Sequence, residues 1–114
     1  MSEHLYPKPT PHVSQTRASL APEITEAFRE FSRKVFSDGA LSAKTKQLIA
    51  VAVAHVTQCP YCIRGHTKAA QKAGAEPEQI MEAIWVAAEM RAGGSYAHAA
   101  LALDAMGLLE EKTT

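Results

Sequence analysis

Residues 46–67 read KQLIAVAVAHVTQCPYCIRGHT, and the fold follows from how that stretch changes character halfway along. From Leu48 to Val56 every position except His55 is apolar. A helix that is apolar on all sides is buried on all sides, so the expectation is a central helix of an all-α domain, with its polar groups in low dielectric. Thr57, Gln58 and Pro60 interrupt it. The residue before a proline avoids the helical conformation, while proline itself suits the first turn of a new helix. A second helix is therefore expected from about Cys59 to Ala73, with Gly74 as its left-handed cap.

Upstream, Ile24, Phe28, Phe31 and Val35 recur at helical spacing between charged residues, which describes an amphipathic helix that Ser37-Asp38-Gly39 ends. Ser42 stands where it can cap the central helix. Downstream, Glu76-Pro77-Glu78 opens a helix with Ile80, Ile84, Ala87 and Ala88 on its apolar face. Gly93-Gly94 is expected to break the chain before Ser95 caps a last helix that ends at Gly107. Residues 1–18 hold three of the six prolines and read as an extended arm; residues 19–110 form one helical domain, and 111–114 a tail.

Composition agrees. The chain has 114 residues, room for one core, and 21 of them are alanine, the best helix former. Twelve Lys and Arg balance twelve Asp and Glu, without the basic excess that nucleic acid or an anionic membrane surface calls for. No apolar run approaches the roughly 18 residues needed to span a bilayer, and prolines and charges occupy residues 1–20 where a secretory signal would be apolar. The expected location is the cytoplasm, where a close cysteine pair is catalytic, redox-active or metal-binding more often than a structural staple.

Cys59-Pro60-Tyr61-Cys62 sets two thiols across the first turn of a helix. There they can form a disulfide, and the unpaired N–H groups of the helix start stabilise a thiolate. His66 follows one turn after Cys62, where an imidazole can take the thiol proton or hold the thiolate by charge. His55, four residues before Cys59, and Gln47, eight before His55, fall close to one face of the central helix. Gln47, His55, the thiols and His66 would then form one polar seam able to relay protons. An amide neither gives nor takes a proton at neutral pH, so Gln47 positions a neighbour at most.

Lys46 to Ala54 leading into Cys59-Pro60-Tyr61-Cys62-Ile63-Arg64-Gly65-His66-Thr67 resembles the core of the AhpD-like, carboxymuconolactone decarboxylase family, over roughly residues 20–108. The resemblance implies an all-helical domain assembled as trimers or hexamers, with a dithiol peroxidase or disulfide reductase site. It further implies that Cys62 attacks a peroxide, that Cys59 resolves the sulfenic acid to a disulfide, that His66 handles the proton, and that an external lipoyl- or thioredoxin-type dithiol restores the pair. The family's relay glutamates stand where this chain has Gln47 and His55. The resemblance therefore points to His55 as the base or to another substrate.

The expected activity is a cysteine-based oxidoreductase acting on a peroxide or a disulfide through a Cys59–Cys62 disulfide, without metal, haem or flavin. The alternatives are a carboxymuconolactone decarboxylase-type lyase, which has no use for a disulfide, a zinc site of His55, Cys59, Cys62 and His66, and a non-catalytic helical assembly module. His98 in the last helix can approach the same pocket or serve only to join helices.

Overall fold

Well-placed caps divide residues 5–110, the part of the chain that the computed structural model describes, into helices and short joints. They are α1 (Pro11–Leu20), α2 (Pro22–Phe36), α3 (Ala43–Thr57), α4 (Pro60–Lys72) and α5 (Pro77–Ala105). The fold is all-α. The described residues group into two compact units that divide between Lys46 and Gln47.

In the first unit, residues 11–18 are helical where an extended arm was expected. Thr10 caps α1, its Oγ1 accepting the Val13 N–H at 3.3 Å, and Pro11 opens the first turn. A proline there loses no hydrogen bond and has its φ already set, so a proline-rich run can start a helix as readily as prevent one. Arg29 of α2 donates to Ser14 Oγ of α1 at 3.1 Å. Ile24, Phe28, Phe31 and Val35 line one face of α2, as their spacing predicts, and that face is exposed in the single chain. Ser42 caps α3 through the Thr45 N–H at 3.1 Å, and Asp38 accepts the Ala43 N–H at 2.7 Å.

The second unit is built on Val51, Ala70, Ala75 and Ile80, with Leu48 and Ile84 packed against them. Ala70 and Ala75 let α3, α4 and the start of α5 meet closely. Gly74, at φ 99°, turns the chain between α4 and α5, and the Ala75 N–H closes the turn on the Ala70 carbonyl at 2.9 Å. Burial of Val51 and Ile80 contributes about 2 kcal/mol each; the alanines contribute less.

Two expectations are corrected. α3 is not buried all round: Val51 and Ala54 are inside, but Ile49, Val53 and Val56 are exposed, Val53 at 53%. One side of the helix faces the core, and the side that carries Ile49, Val53 and Val56 is about half exposed in one chain. Gly93-Gly94 does not break the last helix, and α5 runs through it for 29 residues. Only Gly74 and Gly107 adopt positive φ among the described glycines. Two glycines cost roughly 1 kcal/mol each against alanine, which the alanine-rich flanks of α5 absorb.

Candidate active site

The turn between α3 and α4 sets the site. Thr57 ends α3, Gln58 takes the left-handed conformation at φ 57°, and the Cys59 N–H reaches back to the Ala54 carbonyl at 3.2 Å. This is the usual C-terminal helix stop, with glutamine in the place that glycine normally holds. Cys59 then serves a second helix at once as the N-cap of α4, with Pro60 in the first turn.

As N-cap, Cys59 offers sulfur where serine or aspartate would offer oxygen: its Sγ accepts the Cys62 N–H at 3.2 Å. Both cysteines are free thiols and half-buried. They are unequal in acidity. Cys59 is held below its ordinary value of 9.0, first by the hydrogen bond from the Cys62 thiol, then by the Cys62 N–H, with burial working the other way. Cys62 is pushed above 9.0 by giving that hydrogen bond, by burial and by the negative charge on Cys59.

His66 lies one turn beyond Cys62 on α4. Its Nδ1 meets the Gln47 Oε1 of α3 at 2.8 Å. An amide oxygen only accepts, so Nδ1 carries the hydrogen of this bond. Thus α3 and α4 are tied by the two residues that the sequence placed at opposite ends of the polar seam.

The seam itself is not continuous. His55 gives its Nδ1 to the Val51 carbonyl of its own helix at 2.7 Å, because the carbonyl one turn back is the nearest acceptor in an otherwise apolar segment. His98 likewise bonds the Gly94 carbonyl at 2.7 Å. It lines an open groove of about 480 Å³ with Val56, Met90, Arg91, Gly94 and Ser95. Arg91 of α5 donates to the Val56 carbonyl at 2.9 Å, closing the end of α3. No local signal in the sequence marks that contact, because it joins residues 35 apart. Among the described residues, no three His, Cys, Asp or Glu side chains gather as metal ligands.

Comparison with known proteins agrees with the all-α fold. The model of the carboxymuconolactone decarboxylase family matches residues 22–105. A protein of the cox locus of Paracoccus denitrificans is 59% identical over 103 residues, covering 90% of this chain and 92% of its own. A carboxymuconolactone decarboxylase family protein from Legionella pneumophila, solved in the apo state, is 35% identical, with a TM-score of 0.65 over 87% of this chain and 88% of its own. A structure from Methanobacterium thermoautotrophicum is 36% identical, with a TM-score of 0.69 over 73% of this chain and 93% of its own.

Proposed function

This chain belongs to the carboxymuconolactone decarboxylase family, and on that premise we propose that it is a thiol oxidoreductase cycling between a Cys59/Cys62 dithiol and a Cys59–Cys62 disulfide. The observation that carries this reading is the Cys62 N–H bound to Cys59 Sγ at 3.2 Å. With both sulfurs on one helix turn, the N–H at the helix start favours the thiolate of Cys59 over that of Cys62. His66, oriented by Gln47, is the proton acceptor of the pair. Substrates of this class are peroxides or disulfides, and an external dithiol returns the enzyme to its reduced form. A lactone decarboxylation gains nothing from such a pair.

The working form is a homo-oligomer, a trimer or hexamer. The support is the apolar surface left open in one chain: Val53 on α3 and Trp85, Val86 and Met90 on α5 are all more than half exposed. A net charge of zero removes the self-repulsion that would oppose packing of copies.

Counting free thiols before and after treatment with hydrogen peroxide or glutathione disulfide tests the activity. Loss of both thiols, with recovery on adding a dithiol, is expected. Two free thiols under every condition would sink it.

A further inference from the structure

Resting on the dithiol reading, we infer that Arg91 is a positioning residue for the Cys59/Cys62 pair: from α5 it anchors the end of α3 and thereby fixes the backbone of Cys59. A helix leaves its last carbonyls without partners inside it. At the end of α3 the Ala54 carbonyl takes the Cys59 N–H at 3.2 Å and the Thr57 hydroxyl at 3.4 Å, both from the turn itself. The Val56 carbonyl takes the Arg91 guanidinium at 2.9 Å, from 35 residues along the chain. That bond ties the turn to a different helix. The turn needs such a tie because Gln58 lies at φ 57°, a conformation disfavoured for a residue with a Cβ, which persists where its surroundings over-determine it. The charge of Arg91 suits the place as well, since the carbonyl end of a helix favours a cation.

The anchor acts on closure of the disulfide. The two thiols give up two protons and two electrons to an oxidant such as glutathione disulfide, which becomes two glutathione thiols, and a bond forms between Cys59 Sγ and Cys62 Sγ. Cys62 is fixed within the first turn of α4, whereas Cys59 is the cap residue, half in the helix. Its position depends on the turn before it as well as on the helix after it. With the turn anchored, the dithiol has already lost part of the freedom that closure removes, so the two sulfurs meet at a higher effective concentration. Without the anchor the dithiol regains that freedom, while the disulfide restrains Cys59 by a covalent bond. Removing Arg91 therefore favours the dithiol.

Glutathione redox buffers test this on Arg91→Met and Arg91→Lys, two substitutions at an exposed position that match arginine in helix propensity. The quantity read is the squared concentration of glutathione over that of glutathione disulfide at half-oxidation. It is expected to be at least about threefold lower in Arg91→Met than in the unsubstituted protein, and close to unchanged in Arg91→Lys, which keeps a cationic donor. A loss of stability shared by the dithiol and disulfide forms leaves that ratio where it was, so the ratio separates positioning from support of the fold. An unchanged or higher ratio in Arg91→Met overturns the proposal, and an equal fall in Arg91→Lys overturns the hydrogen bond as its cause. Amide exchange in the reduced protein reads the anchor by itself: the Cys59 N–H should exchange at least about threefold faster in Arg91→Met, with the centre of α3 unchanged. An unchanged Cys59 rate overturns the anchor. If the unsubstituted protein forms no Cys59–Cys62 disulfide at any ratio, the redox reading fails, and the exchange rates still decide whether Arg91 holds the turn.

Discussion

His66 and Gln47 are joined at 2.8 Å across 19 residues of sequence, one from α4 and one from α3. The bond holds the imidazole in a single tautomer with a neutral partner. A carboxylate in the same place would instead favour the imidazolium form.

Gln47→Glu should therefore move the acidic limb of the pH profile for thiol oxidation to higher pH, since more imidazole is protonated at a given pH. Gln47→Ala should slow oxidation roughly tenfold at the profile's optimum by releasing the ring from its set orientation. Stopped-flow loss of thiols across pH, with ¹⁵N chemical shifts of His66, reads both. A profile that does not move in Gln47→Glu would deny the contact a role.

Unequal thiols make the stability of the reduced protein depend on pH in two opposed ways. Cys59 ionises more readily folded than unfolded, so it adds stability as pH rises from its lowered value to 9.0, and this is lost again on acidification through that value. Cys62 ionises less readily folded, so it removes stability as pH rises past 9.0. Urea unfolding of Cys59→Ser and Cys62→Ser from pH 6 to 10, set against the unsubstituted protein, should show each variant losing its own limb and weakening the other, because each thiol's shift is caused first by its partner.

Gln58 sits at φ 57° directly before Cys59. Glycine has no Cβ to strain in that conformation, so Gln58→Gly should stabilise the fold by about 1 kcal/mol, and Gln58→Val should destabilise it by a similar amount or more. Chemical denaturation measures this directly. A destabilised Gln58→Gly would mean that the glutamine side chain contributes more than its backbone costs.

A Cβ added at Gly94 meets nothing within 4 Å in the single chain. Gly94→Ala should raise helix stability by roughly 0.5–1 kcal/mol wherever that space stays open. If instead it lowers the oligomeric state seen by light scattering, a second copy approaches α5 at that point.

Core and surface valines on α3 should separate folding from assembly. Val51 is fully buried, and Val51→Ala should cost about 2 kcal/mol of stability. Val53 faces outward, and Val53→Lys should leave the helix content unchanged while weakening association. Circular dichroism and sedimentation, run on the same samples, distinguish the two.

Apolar periodicity and capping chemistry act within a few residues, so the all-α class, the caps at Ser42 and Gly74, and the start of a helix at Cys59 were legible in the sequence alone. The Cys59, Cys62 and His66 spacing is legible for the same reason: two successive helix turns bring them to one face. Where helix ends depend on a balance of small energies, as at Thr10-Pro11 and Gly93-Gly94, local signals pointed the wrong way. Only the tertiary structure decided that Gln47 meets His66 while His55 turns to its own backbone, because that choice depends on how α3 and α4 pack. The turn at Gln58 likewise decided which cysteine sulfur takes the helix-start N–H. Spacing places groups on a face; the packing of a second helix determines which of them touch.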